Sequence, residues 1–536
     1  MRVVYPVKIV EAKGEITNAE TLLKNKTLQI GLVEPELAVI KGKGHIIFDF
    51  GKELTGGARI LCYVAEGNKT VRLRFGESVG ETMADLGEKN ATNDHSDRDM
   101  KVELQRLSDM TFAQTGFRFL RIDFGENADI GLKCVVAATD IDEREAQGSF
   151  ECNDELLNTV WATAAYTLRL CLKNGYVWDG VKRDRLVWIG DIYPETKTAF
   201  CLFKDVPEIK NSLIFCRDQT PEGAWMNNIP NYSFWWLLNL CEYVNRSDDE
   251  KFAKDNAEFI KRIIGDAEKH VKADGTTDFP FDFIDWPSHY DGDGDEDKRY
   301  DEIAGTNYLL RIIFSKTAKL LRRIGENAEV AENIVAKLEK KKYEIRKYKQ
   351  IAALGVLAGE KNEHMLEVME RGGSEGLTTF LNYFIFTALG EYGKYDEAAA
   401  MIREYYGKML SLGATTFWED FDVAWAENAN RIDEIPVAGK KDVHGDYGKF
   451  CYKGYRHSLC HGWASGILAY MSENILGIRP VEGNSRKFTF EPHLSDLRYV
   501  KGVYPTPYGN ISVKVEVTAS GELIKTVEAP ADIEII

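Results

Sequence analysis

The chain has 536 residues, 85 of them acidic against 68 basic, a net charge of −17, and 44% hydrophobic residues. Its length exceeds what one hydrophobic core supports, so several domain-sized units around one large one are expected. The acidic balance repels phosphate backbones and anionic lipid surfaces, which argues against nucleic acid or a membrane as partner.

Nine cysteines, odd in number and never spaced Cys-x-x-Cys, fit buried free thiols better than a disulfide framework or a zinc site. With no leader-like N-terminus and no apolar run long enough to span a bilayer, a cytoplasmic protein is expected.

Residues 1–148 read as an N-terminal β-sandwich. Gly44–Phe50, Ala58–Val64, Thr70–Phe75 and Phe117–Asp123 cluster apolar and β-branched residues between Gly-containing turns. The stretch Gly80–Asp109, rich in Asp, Asn and Ser, reads as a long loop on that sandwich. Near Asn153 the period changes to that of helices, in segments at 153–172, 232–244, 252–273, 306–324, 328–353, 376–389, 395–412 and 458–475. Several are apolar on most of their circumference, which requires cover on two sides. Residues 149–478 thus form a helical domain, with Gly-, Asp- and aromatic-rich connections of the kind that carry function on a rigid scaffold. Period-two alternation returns at Arg486–Phe490, Gly509–Val517 and Glu522–Val527, so residues 479–536 form a small C-terminal β domain.

Three acidic or basic stretches invite other readings. Asp291-Gly-Asp-Gly-Asp295-Glu-Asp297 imitates a calcium loop, but Glu296 stands where the sharp turn needs glycine; a solvated acidic loop is expected. The run Lys337–Lys349 offsets its bases with acids and reads as a solvated helix face. Arg371-Gly-Gly-Ser-Glu-Gly376 lacks the Lys-Ser/Thr of a phosphate loop, and no cofactor motif stands out.

Two segments carry chemistry: Asp179-Gly-Val-Lys-Arg-Asp184-Arg-Leu-Val-Trp188-Ile-Gly-Asp191 and Gly413-Ala-Thr-Thr-Phe-Trp418-Glu419-Asp420. Cleaving a glycosidic bond needs one carboxyl to protonate the leaving oxygen and another to activate water or attack the anomeric carbon. Tryptophans beside such acids give a sugar ring an apolar face.

With Phe48-Asp-Phe-Gly51, Phe75-Gly-Glu77, Thr115-Gly-Phe-Arg118, Asp285-Trp286, His457-Ser-Leu-Cys-His461 and Thr506-Pro-Tyr-Gly509 added, the chain from about residue 44 onward resembles the bacterial α-L-rhamnosidases of glycoside hydrolase family 78. The resemblance implies a multidomain, mainly α protein: an (α/α)6 barrel catalytic domain flanked by an N-terminal β-sandwich and a C-terminal β domain. It implies an inverting hydrolase of terminal α-L-rhamnose acting on small glycosides without a cofactor or metal. Carried over, the general acid is Asp184 and the general base Glu419. Asp179, Arg183, Trp188, Asp191, Trp286, Trp418 and His461 hold the sugar.

Many family members have Glu at the acid position. Here Asp184 is shorter and lies between Arg183 and Arg185, whose guanidinium groups, pointed inward, would favour its ionised form; Asp191 is the alternative acid. Hydrolysis of another sugar and a non-catalytic carbohydrate-binding role also stay open, since fold does not fix substrate. Dimers are common among soluble proteins, and a homodimer is compatible with this chain, but no segment names an interface.

Overall fold

The structure, a computed structural model, describes residues 2–536. Seven strands form one antiparallel sheet in the order Arg2–Val4, Ala128–Thr139, Ala38–Gly67, Ser108–Phe124, Thr70–Gly76, Asp99–Glu103, with Lys8–Thr17 added on Ala38–Gly67. The 30-residue strand Ala38–Gly67 is its axis, paired to Ser108–Phe124 and Ala128–Thr139 with register shifts near Gly56. Gly56 has φ +148, and a Cβ there would lie 2.1 Å from the Ala138 carbonyl oxygen. So long a twisted strand has to bend, and the sheet curls over its own core, where Phe117 meets Phe50 and Phe75 edge-on at 5.6 and 5.0 Å.

The strands of the N-terminal unit are hydrogen-bonded in one continuous order around that core. The stretch expected as a long loop contains the short helix Val79–Met83, capped by Ser78, and the edge strand Asp99–Glu103. The alternation of Met100 and Val102 toward the core is hidden there by polar neighbours.

Helices run from Glu155–Cys171 to Tyr395–Ser411, followed by an unbroken helical run at 462–475 where a helix was expected at 458–475. Asp154 caps the first by accepting from the Leu156 and Leu157 N–H groups. Pro230–Ser247 is buried nearly all round, as its composition demands. Trp235 and Trp236 are fully enclosed, and Trp236 Nε1 donates to the Leu213 carbonyl at 2.9 Å.

The expected single helix at 328–353 is two, Glu329–Leu338 and Lys349–Leu357. Between them buried Asp301 accepts backbone N–H bonds from Arg346, Lys347 and Tyr348, which competes with helix continuation. The run Lys337–Lys349 is thus mostly not helix. The helix Ile192–Leu202, not expected from the sequence, is entirely buried; its buried Glu195 and Lys197 disguise the apolar period. The acidic loop is a helix start: Asp295 accepts from the Lys298 N–H and pairs with Lys347 at 3.2 Å.

One buried ionic cluster ties the helices together. Lys197 lies 3.2 Å from Glu242 and 3.0 Å from Glu473, Arg246 pairs with both acids, and the Tyr383 hydroxyl donates to Glu473. Replacing Arg246 with Met leaves two buried carboxylates to one ammonium and is expected to cost about 3–5 kcal/mol, read as a lower urea midpoint.

At the C-terminus, Leu523–Glu528, Gly509–Val517 and Tyr499–Thr506 form a sheet that is completed by Ser149–Cys152, with Gly502 opposite Phe150. The C-terminal unit thus borrows a strand from the start of the helical segment. The whole is a mixture of helix and strand rather than mainly α. Among the described residues no helix is long and apolar enough to cross a membrane, and the nine cysteines are free.

Candidate active site

The segment from Asp179 to Asp191 is an irregular loop closed on itself. The Asp179 N–H donates to the Leu186 carbonyl at 3.0 Å, and the Leu186 N–H donates to the Asp179 carboxyl at 2.8 Å. At its apex Asp184 and Arg185 sit at φ +53 and +59. Left-handed non-glycine backbone costs about 1–2 kcal/mol per residue, and such strain collects at functional sites. The Trp-x-Gly-Asp ending has a steric reason, because a Cβ on Gly190 would lie 2.4 Å from the Tyr232 ring. That approach lets the Tyr232 hydroxyl donate to Asp191 at 2.7 Å.

Facing this loop, residues 417–419 run beside 458–461: the Glu419 N–H donates to the Ser458 carbonyl, and the His461 N–H to the Phe417 carbonyl. Glu419 is 3% exposed, accepts from the Ser458 N–H at 3.1 Å and pairs with Arg183. His461 stands at the centre. Its Nε2 is 4.0 Å from Asp179, 3.9 Å from Asp191 and 3.8 Å from Glu419. These gaps are too long for direct hydrogen bonds, and they leave polar faces that inserted hydroxyl groups can join.

Burial, with Asp184 and Asp191 nearby, holds the Asp179 carboxyl well above the usual range. Burial pushes Asp191 up to about 8; the Tyr232 hydrogen bond opposes this, and Glu419 and Asp184 add to it. Burial and Arg183 push His461 well below its ordinary value. Burial thus favours the neutral forms of Asp179, Asp191 and His461, which stand together beside Glu419.

Asp184 differs from both neighbouring aspartates. Its side chain is 19% exposed, 3.0 Å from Arg183 and 3.2 Å from His95 Nδ1. Only one of the flanking arginines points inward: Arg185 donates outward to the Gln114 carbonyl and lies over Trp178.

Of the tryptophans, Trp188 and Trp286 are half-buried; Trp188 meets Tyr232 edge-on at 6.1 Å, and Trp286 stacks on Phe450 at 5.7 Å. Trp418, expected as a sugar wall, is 1% exposed and packs in the core edge-on to Phe421. Neighbours along an extended segment point to opposite sides, so the turn that aims Glu419 inward sends Trp418 into the core. Asp285 and Asp420 form a further acidic pair, each pushed up to about 7 by burial, with Asp285 raising Asp420.

Sequence reasoning missed the contribution of the N-terminal sheet. Glu77 accepts from the Leu459 N–H at 2.6 Å, next to the Ser458 N–H that holds Glu419. Lys182 donates to the His457 carbonyl at 2.7 Å and lies 2.9 Å from Glu81 and 3.4 Å from Glu77. Arg118 pairs with Asp49 and donates to the Gly413 carbonyl at 2.9 Å. Gly116 permits the close contact, since a Cβ there would meet Val181 at 2.6 Å. Glu77, Gly116 and Arg118 lay in motifs quoted for the resemblance, but nothing in their local pattern says that they buttress a distant loop. His95 and Asp94, which pairs with Arg456, carried no signal at all.

Among the described residues, Glu77, Glu81 and His444 bring three metal-type ligands together. Lys182 and Arg98 already supply the cations there, and Ser78 shares a 2.8 Å hydrogen bond with His444.

Residues 145–354 match the family model described as the bacterial alpha-L-rhamnosidase 6 hairpin glycosidase domain. In fold the chain is similar to a GH78 family rhamnosidase of Bacillus sp. GL1, with TM-score 0.75, 22% identity, and coverage of 96% of this chain and 55% of that one. It is similar to the α-L-rhamnosidase of Dictyoglumus thermophilum, with TM-score 0.71, 19% identity, and coverage of 100% and 58%. It is also similar to a rhamnosidase of Klebsiella oxytoca with rhamnose bound, with TM-score 0.68, 19% identity, and coverage of 88% and 94%. The chain spans a little over half the length of the first two. No curated protein sequence matches it. Residues 145–354 thus match the family model of a bacterial alpha-L-rhamnosidase 6 hairpin glycosidase domain, in a chain that has the fold of the solved rhamnosidases.

Proposed function

We propose that the protein is an inverting, exo-acting glycoside hydrolase that releases terminal α-L-rhamnose from small glycosides, its helices closing as an (α/α)6 barrel. The observation that carries this reading is the convergence of Asp179, Asp191 and Glu419 on His461 within the domain that matches the rhamnosidase model. The free cysteines support a reducing, cytoplasmic setting.

In this reading the sugar lies on the pocket floor. Its hydroxyls bridge Asp179, Asp191 and His461, and its C6 methyl rests on the half-buried Trp188 or Trp286. Glu419 takes a proton from a water that attacks the anomeric carbon as the glycosidic bond breaks. Asp184, the acid nearest to solvent, protonates the departing oxygen. Arg183 touches both carboxyls, and a guanidinium between them is in keeping with the roughly 6.5–9.5 Å separation that inversion uses. A second assignment has one observation in its favour: Asp191 carries a proton up to about pH 8, which suits an acid.

The test is release of nitrophenol from p-nitrophenyl α-L-rhamnopyranoside beside a panel of other nitrophenyl sugars, with the product anomer followed by NMR. Cleavage of the rhamnoside with inversion is expected; cleavage of another sugar or of none overturns the reading.

The pH profile follows from Asp191. Above about pH 8 it ionises next to Glu419, so turnover falls on the alkaline side. Tyr232→Phe removes a hydrogen bond to the ionised form, raises the carboxyl further and is expected to move the alkaline limb to higher pH. A limb that stays in place assigns it to another group.

A further inference from the structure

A cavity of about 330 Å³ lies away from the His461 pocket. It is walled by the helices Ile192–Leu202, Pro230–Ser247, Glu296–Arg323, Lys349–Leu357 and Asn382–Gly390 and by the end of the helical run at 462–475. Two of these helices fix its place. Pro230–Ser247 begins beside the pocket, where Tyr232 holds Asp191. It reaches the cavity at Glu242, about 15 Å further along its axis. Asn382–Gly390 follows Thr379, which donates to the Glu419 carbonyl at 2.6 Å, and reaches the cavity at Thr387. The cavity is therefore toward the far ends of helices whose near ends serve the pocket.

Its charges are almost matched, with one left over. Lys197 and Arg246 serve Glu242 and Glu473, and Lys316 pairs with Glu482 at 2.6 Å. Burial would raise Glu242 and Glu473, but Lys197 and Arg246 outweigh it and lower both, so these acids are ionised and already paired. The remaining cation is Arg479. Its Nε donates to the Glu473 carbonyl at 3.0 Å and one terminal nitrogen donates to Asn474, while no carboxylate among the described residues pairs with it.

The free donors have surface on the cavity. Arg479 and Asn245 are half-buried and line it. Asn245 Oδ1 accepts from the Gly483 N–H at 2.9 Å, which leaves its NH2 for another acceptor. Tyr193, 4% exposed, stacks on Phe384 at 5.7 Å, and its hydroxyl has no hydrogen-bond partner among the described residues. Burial holds that hydroxyl well above its usual range, so it remains a donor. Ile312, Leu357 and Phe384 add an apolar wall. An adjoining smaller cavity that shares Lys316 and Glu482 adds the exposed Lys319, which favours the approach of anions.

We propose that this cavity is a binding site for a small organic monoanion, a carboxylate on a hydrocarbon body, with Arg479 as its counter-charge, Tyr193 and Asn245 as further donors, and the apolar wall against its body. A guanidinium with N–H groups to spare selects an anion, because hydrogen bonds between ionised partners are the strong ones. The apolar wall selects a hydrocarbon body over a bare inorganic ion, and a cavity of this size takes a small ligand. The site goes beyond the rhamnosidase reading and does not rest on it, since no residue of the His461 pocket takes part.

The test is calorimetric titration of benzoate, benzamide and inorganic phosphate into wild type, Tyr193→Phe and Leu357→Trp, with thermal melting to establish that the variants fold. Benzoate is expected to bind wild type at one site, about tenfold more tightly than benzamide, which has the same ring without the charge. Tyr193→Phe removes a hydroxyl that bonds to nothing in the protein, so the fold stays intact while benzoate weakens by about tenfold. Leu357→Trp fills the cavity and is expected to abolish binding; if that variant melts early, Tyr193→Phe decides. No binding of benzoate, equal binding of benzamide, or binding that the folded variants keep unchanged overturns the proposal. Phosphate that binds as tightly as benzoate also overturns it, because the site is then one for inorganic anions.

Discussion

Glu419→Gln is expected to lower kcat on p-nitrophenyl α-L-rhamnopyranoside by about 10²–10⁴-fold, the range for a lost general base, with KM changed far less. The substitution nearly preserves shape, and one oxygen remains to accept from Arg183 or from the Ser458 N–H. The amide cannot take a proton from water, and its NH2 faces a donor where the carboxylate faced it as an acceptor. Azide needs no base, so adding it is expected to restore turnover and to yield the rhamnosyl azide of inverted configuration. A variant that keeps wild-type kcat, or whose azide product retains configuration, removes Glu419 from the base role. Binding of rhamnose by the inactive variant separates loss of chemistry from loss of the pocket.

Asp184→Asn and Asp191→Asn should differ in how their losses depend on the leaving group. Nitrophenolate departs with little help, whereas an alkoxide needs its proton in the transition state. If Asp184 is the acid, Asp184→Asn loses about 10²–10⁴-fold on methyl α-L-rhamnopyranoside and much less on the nitrophenyl substrate. Asp191→Asn, which disturbs the binding of sugar hydroxyls, then loses similar factors on both. The opposite pattern gives the acid role to Asp191. The contest is physical: Asp184 has reach and solvent access but stands 3.0 Å from Arg183, whereas Asp191 keeps its proton to about pH 8 but is fixed by Tyr232 on the pocket floor. His95 Nδ1 accepts the Asp184 backbone N–H at 3.0 Å, which helps to hold the apex of that loop.

The acids and the histidine were legible in the chain because they sit in short runs whose residue types serve one chemistry. Asp179, Asp184 and Asp191 occur within a single loop, and His461 and Glu419 on adjacent extended segments. The general distribution of strand and helix was legible from hydrophobic period, most clearly in Pro230–Ser247. What was not legible depended on contacts between remote parts. Asp301 interrupts a helix 45 residues away by accepting its N–H groups, Ser149–Cys152 leaves the helical segment for the C-terminal sheet, and Trp418 faces away from the acid that it precedes. Local pattern carries no information about which distant carbonyl Lys182 will find.

The loops that bring Asp179, Asp191, Glu419 and His461 together are held by residues far away in the chain. Glu77, just after the strand Thr70–Gly76, accepts from Leu459, and Arg118 donates to Gly413, so the segments on either side of Glu419 are gripped from the N-terminal unit, to which Lys182 also anchors the acidic loop. The site is therefore a seam, and a seam opens before cloth tears: on heating, turnover is expected to disappear at a temperature where the helical domain still gives its full far-ultraviolet signal. A truncated chain that starts at residue 149 would fold its helices around a cleft whose walls have lost their backing.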